Sequence, residues 1–213
     1  MHTLASVVHP LRDAIPGVRV VIVDDGSGDE TATIAETLAD CTICLGRNRG
    51  KGAALRAGFE SALRLSDDVV LTLDADGQHD PSYAPLLVRA LDDCDIAIGQ
   101  RIRSGSTMPL RRRMTNAMAS MAIAHVAGIR LEDTQSGFRA IRRQVLERVQ
   151  PSGDRYEFET DLLIRAARAG FRVCNVKIPT LYGPTSHFRS MSDSVRIVRT
   201  IWSHRGRAAE VVS

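Results

Sequence analysis

The chain predicts an α/β domain in which a mainly parallel sheet is flanked by helices, and three observations carry that prediction. Short β-branched runs alternate with segments of helical period along the first half of the sequence. The strand runs are continuously apolar rather than alternating, as expected of strands covered on both faces. Acidic clusters follow two of these strands, where open α/β sheets form their ligand crevice.

Leu4, Val7, Val8, Leu11 and Ile15 recur at helical spacing, so the chain opens on an amphipathic helix ended by Pro16-Gly17. Residues 18–23 form a β-branched strand stopped by Asp24-Asp25-Gly26-Ser27-Gly28, and an Ala/Thr/Leu-rich helix follows to about Ala39. The alternation repeats with strand 42–45, helix 51–65, strand 69–73, a helix starting between Ser82 and Pro85, and strand 96–98. Beyond Gly99 an Arg/Ser/Gly-rich loop leads to a helix over about 110–127, and a second loop runs through Asp133 to Gly137. Loops of that length commonly carry function. Helix 157–169, strand 172–178 and helix 191–203 complete the pattern, with no internal repeat and no linker.

With 213 residues, 44% hydrophobic and 25% charged, the sequence supports one sizeable core and a single domain over 1–213. No apolar run approaches the ~20 residues that span a bilayer, and no secretory leader is visible, so a cytoplasmic location is expected. The net charge of +3 suits anionic ligands but is too weak to argue for nucleic acid. Cys41, Cys44, Cys94 and Cys174 match neither a disulfide framework nor a zinc site, so free buried thiols are expected.

The chemistry points to the two acidic clusters, Asp24-Asp25-Gly26-Ser27 and Asp74-Ala75-Asp76-Gly77-Gln78-His79-Asp80. Residues two apart in an extended segment point the same way, so Asp74 and Asp76 can present both carboxylates to one ligand. Paired carboxylates repel, and a hard ion such as Mg²⁺ or Mn²⁺ relieves the repulsion while joining them to substrate phosphates. A metal-bound diphosphate is the implied ligand. The competing explanation is that Asp and Gly merely form turns and cap helices after strands. The glycine motifs do not form phosphate loops: Gly46 to Gly52 lacks the Walker spacing and its Ser/Thr, and Gly26-Ser27-Gly28 has Thr31 in place of a third glycine.

Six motifs occur in order: VIVDDGSGDET, NRGKGAALRAG, LTLDADGQHDP, the GQR ending at Arg101, DTQSGFRA and YEFETDLLIRAARAGFRV. Together they resemble the family 2 inverting glycosyltransferases, in the dolichol-phosphate mannosyltransferase-like branch that uses polyprenyl phosphate acceptors. The likeness runs over about residues 3–203.

The resemblance implies a GT-A fold, a GDP- or UDP-linked sugar donor and Mg²⁺ or Mn²⁺. Val23 and Asp25 match positions contacting the donor's base and ribose, Asp74 and Asp76 match the family's Asp-x-Asp, and Ala75 lies along the nucleotide. Asp76 and Gln78, with Asp74, are the implied metal ligands; of the implied catalytic residues, Arg101 and Asp133 match positions lining the sugar and acceptor side, and His187 falls near the diphosphate, where that branch usually has a Ser-Lys pair. A lipid-phosphate acceptor needs no strong base, whereas a saccharide hydroxyl would need one, for which Asp133 is the candidate.

Two departures follow from the same resemblance. Family members begin with a strand ending in a Pro-x-Tyr-Asn-Glu-like segment, absent here, so either the true start lies upstream or the protein is truncated and impaired, a non-catalytic nucleotide-sugar binder. The loop from Gly183 to His187 is short and lacks a preceding arginine, so no particular sugar is implied. Outside this family, Asp24, Asp25 and Asp74 superficially fit a phosphorelay receiver, and Asp74-Ala75-Asp76-Gly77 an aspartate-nucleophile phosphatase; neither finds its remaining residues.

The last helix carries Val195, Val198, Ile201 and Trp202 as one stripe among Arg196, Arg199, Arg205 and Arg207. Docking on the core is the favoured explanation of that stripe, and peripheral contact with the inner face of a membrane the alternative. Glu157 and Glu159 read as an exposed helix start or as acceptor-facing acids.

Overall fold

The computed structural model describes residues 2–101, 136–179 and 192–204. Helix α1 (His2–Ala14) leads to β1 (Val21–Asp24), followed by α2 (Thr31–Leu38), β2 (Cys41–Cys44), α3 (Lys51–Leu63) and β3 (Val69–Thr72). A 3-10 turn (Pro81–Tyr83) runs into α4 (Ala84–Ala90), then β4 (Ile96–Arg101). After residues 102–135 come β5 (Arg139–Arg142), α5 (Arg143–Arg148), α6 (Glu157–Arg168), β6 (Val173–Ile178) and α7 (Ser192–Ser203). The helix expected over about 110–127 lies outside the described residues.

The strands form two sheets. β1 pairs in parallel with β2, with Val21 opposite Cys41 and Asp24 opposite Cys44. The second sheet has the order β3-β5-β4-β6, where β5 is antiparallel to both its neighbours and β4 is parallel to β6. β3, β4 and β6 therefore run the same way. The β5–α5 unit is a correction to the sequence expectation of loop followed by the 157–169 helix, because Arg139 and Arg142 interrupt the apolar run that marks the other strands.

Alternation along the second sheet sorts its side chains into two cores. Ile96, Ile98 and Ile141 pack with Phe158, Leu162 and Leu163. Ala97, Ala140 and Ile178 pack with Leu87 and Leu91, with Leu11 and Ile15 of α1 against them. Helices thus cover both faces.

Among the described residues no ladder joins β1 to β3. Between them lies a cavity of about 640 Å³, lined by β1 and β3 and by apolar side chains of α1 and α3 such as Leu4, Val7, Leu11 and Leu55. Helix α3 spans the division, packing on β1 as well as on α5 and α6.

The cysteines depart from expectation too. Cys94 and Cys174 are paired as a disulfide with Cα atoms 6.1 Å apart, and Cys41 and Cys44 are exposed. Their separation of 80 residues hides this pairing in the sequence. β6 brings Cys174 opposite Ala97, next to the end of α4.

Candidate active site

Each acidic cluster begins where a strand ends. Asp24 is buried, and its Oδ1 accepts the Ser27 N–H at 3.0 Å and hydroxyl at 2.5 Å, closing the turn after β1. Asp25 does something different: its two carboxylate oxygens accept the backbone N–H groups of Arg49 at 2.6 Å and Gly50 at 2.8 Å. The loop after β2 is thereby drawn over the end of β1. Gly26, at φ +79°, permits this approach, since a Cβ there would collide with the backbone of Arg47 and Asn48.

The next residue, Lys51, opens α3 and reaches the other cluster. Its Nζ lies 2.9 Å from the Asp74 carboxylate and 3.2 Å from Glu159 Oε2. Arg139 of β5, the largest fully buried side chain among the described residues, pairs with Glu159 Oε1 at 3.1 Å. Two cations and two carboxylates thus balance inside the protein. Burial alone would lower the Lys51 pKa, but the Glu159 and Asp74 charges outweigh it and raise the value above the ordinary range. Asp74 shifts down: burial opposes its charge, and the Lys51 ammonium more than compensates. Gly137 lets the next loop close on this pair, because a Cβ there would overlap the Asp74 carboxylate.

The rest of the second cluster divides between anchoring and exposure. His79 is buried, its Nε2 3.4 Å from Ser136 Oγ and its ring against Phe138. Asp80 accepts the Ser82 N–H at 2.9 Å and caps the 3-10 turn, as the structural explanation anticipated for such acids. Asp76 is exposed, and its Oδ1 accepts the Gln78 N–H at 3.0 Å. Ala75 is exposed and Gln78 partly so.

The expected site residues therefore separate into three sets. Val23 lies in register with Ile43 near the end of β1, Asp25 just beyond it holds the backbone of Arg49 and Gly50, and the adjacent Lys51 links that point to Asp74. Ala75, Asp76 and Gln78 extend outward from Asp74, while Arg101 ends β4 opposite Ile178 and hence at the same sheet edge as Asp74. Asp133 and His187 lie outside the described residues. Sequence reasoning missed Lys51, Arg139 and Glu159 as a unit, and the burial of Glu157 and Glu159 overturns the reading of them as an exposed helix start. Glu157 Oε1 sits 3.3 Å from the Asp154 nitrogen and 4.0 Å from Arg196, so it joins the start of α6 to α7.

A divalent ion suits this donor set chemically, since the carboxylate of Asp76 and the amide oxygen of Gln78 are hard ligands. Among the described residues no three His, Cys, Asp or Glu side chains converge as a metal cage. Two such oxygens would be part of a coordination sphere, and in sites of that kind substrate phosphates supply the remainder.

Residues 2–150 match the family model for glycosyl transferase family 2. The chain belongs to glycosyltransferase family 2. Over 188 residues it is 37% identical to a polyprenol monophosphomannose synthase of Mycolicibacterium smegmatis, covering 82% of this chain and 71% of that protein. It is 36% identical to an undecaprenyl-phosphate mannosyltransferase of Micrococcus luteus, over 79% of this chain and 74% of the relative. These relatives put this family 2 glycosyltransferase in the polyprenyl-phosphate branch. Among solved structures, glucosyl-3-phosphoglycerate synthase of Mycobacterium tuberculosis with Mn²⁺ and UDP matches at a TM-score of 0.76 and 20% identity, covering 100% of this chain and 77% of the other. That likeness establishes the GT-A fold. With the family established, the phosphorelay and phosphatase readings fall away.

Proposed function

We propose that this glycosyltransferase moves a sugar from a GDP- or UDP-linked donor to a polyprenyl phosphate, with inversion and with a divalent ion held by Asp76 and Gln78. The observation that carries the proposal is the convergence of Asp25 and Asp74 on the consecutive residues Arg49, Gly50 and Lys51 at the ends of two strands. The names of the relatives support the acceptor class, and the Mn²⁺ and UDP of the solved neighbour support the donor class.

In this reading Val23 and Asp25 contact base and ribose, Ala75 lies along the nucleotide, and Asp76 and Gln78 face the diphosphate. A bound Mg²⁺ or Mn²⁺ supplies positive charge where the departing diphosphate gathers negative charge. Asp76 and Gln78 fix that charge on the donor side, and Arg101 contributes a further cation from β4. A lipid phosphate attacks as an anion already, since a phosphate monoester's second pKa is about 6, so Asp133 is needed as a base only for a hydroxyl acceptor. His187 is assigned to the diphosphate side.

The acceptor's lipid tail calls for a membrane-facing surface, and no helix among the described residues is long and apolar enough to cross a membrane. Helix α7 is the candidate. Ile197 and Ile201 dock on Ile164, while Val198 and Trp202 stay 63% and 71% exposed beside exposed Arg199. The single stripe read from the sequence is thus divided, one part docked and one part free to meet an interface.

The test is a thermal-shift screen of UDP- and GDP-sugars with Mn²⁺, followed by transfer to a short polyprenyl phosphate. The proposal expects one sugar nucleotide to raise the melting temperature and to yield a glycosyl-phosphoryl lipid. Transfer to saccharides alone would contradict the acceptor assignment, and no shift with any donor would contradict the donor site.

A further inference from the structure

Lys51 stands out because its position is built rather than incidental. Its side chain is 20% exposed, its ammonium touches two carboxylates from different parts of the chain, and the Tyr156 ring lies 5.8 Å away. Glu159 is neutralised a second time by Arg139. An ammonium between two acids does what a small metal ion would do there, as a compact charge with three donors. Asp74 and Asp76 are separated by one residue, yet only Asp74 is paired in this way; Asp76 is exposed.

We propose that Lys51 is a tethered cation that takes the place of a metal at Asp74 and Glu159, leaving Asp76 as the one carboxylate of the Asp74-Ala75-Asp76 segment open to a divalent ion. Lys51 is therefore a positioning residue. Its consequence is an order of assembly: with one open carboxylate the protein retains the ion poorly by itself, and captures it when a nucleoside diphosphate brings further oxygens. Two free carboxylates two residues apart would capture the ion unaided. The inference rests on the metal-dependent donor site proposed above and assigns its residues separate tasks.

Mn²⁺ binding, read by the loss of the free-ion paramagnetic signal on the intact chain, tests this without reference to turnover. The native protein is expected to bind Mn²⁺ about tenfold or more tightly with UDP or GDP than without. Lys51→Met is expected to bind Mn²⁺ alone about tenfold more tightly than the native protein, since it removes a charge some 3 Å from a carboxylate. Lys51→Arg should retain native behaviour more closely than Lys51→Met. Should Lys51→Met fail to fold, Asp74→Asn serves in its place. There Mn²⁺ binding with nucleotide persists if Asp74 belongs to Lys51, while Asp76→Asn abolishes it. Unchanged or weaker Mn²⁺ affinity in folded Lys51→Met, or equal losses in Asp74→Asn and Asp76→Asn, would overturn the role of Lys51. Absence of Mn²⁺ binding by the native protein with every nucleoside diphosphate would instead overturn the donor site itself.

Discussion

In the four-stranded sheet Ile96, Ala97, Ile98, Ala140 and Ile141 are sealed from solvent, whereas in the β1–β2 ribbon Cys41 and Cys44 are exposed and Val21 to Val23 only partly buried. Three of the ion pairs mark the same division. Arg139–Glu159 is buried in the first region, with 2% and 6% of the side chains exposed, while Arg12–Asp40 and Arg19–Asp67 around the ribbon are open to water. The four-stranded part is held as a conventional core. The ribbon depends on α3 and on polar ties at its ends. The site lies on this division, with Asp25 on one side, Asp74 on the other and Arg49 to Lys51 between them.

Removing one charge from the buried side should have the largest effect on stability. Arg139→Met leaves Glu159 with Lys51 alone and should cost about 3–5 kcal/mol in denaturant unfolding. A loss below about 1 kcal/mol would mean that the network is not what secures β5 to α6. The opposite manipulation acts on the ribbon. Appending a β-branched segment of about six residues and a short turn ahead of α1 should pair with β1, fill the cavity and raise stability by ~2 kcal/mol. An unchanged melting temperature would show that the cavity does not accept a strand.

A third prediction concerns the docking of α7. Buried Asp161 accepts Ser152 N–H and hydroxyl, Arg165 Nε and His204 Nε2, the last at 2.5 Å. Burial would raise its pKa, but these donors outweigh it and hold the carboxyl below its ordinary value of 3.8. Because the folded value is the lower one, Asp161 stabilises the protein above about pH 4 and the contribution fades as pH falls through the depressed value. Acid titration of Trp202 fluorescence should report release of α7 before the sheet melts, and Asp161→Asn should remove that early phase. The smallest effect is expected at the surface: Arg19→Ala should cost at most about 1 kcal/mol.

The same contrast explains how much was legible beforehand. Helical spacing in α1 and the β-branched runs of β1 and β3 announce themselves because each signal is local. β5 carries two arginines in four residues, and its strand character comes from its neighbours β3 and β4, which lie far away in sequence. Asp25, Asp74 and Asp76 were visible as acids at strand ends. Their partners were not, since Lys51, Arg139 and Glu159 meet only after folding. An exposed helix start is one of the two sequence readings of Glu159, because helix starts favour acids, but nine positions of α6 are buried and its first turn has no free face. One local hint was present: Lys51 is one of only two lysines in an arginine-rich chain.

In the proposed donor site Asp76 meets the metal and the nucleoside diphosphate together. Melting curves of native protein and Asp76→Ala, each with Mn²⁺ and UDP or GDP, test this. The native protein is expected to show a rise in melting temperature that requires both ligands, as for any ligand pair that binds only the folded state, and Asp76→Ala no such rise. An equal rise in the two proteins would contradict it.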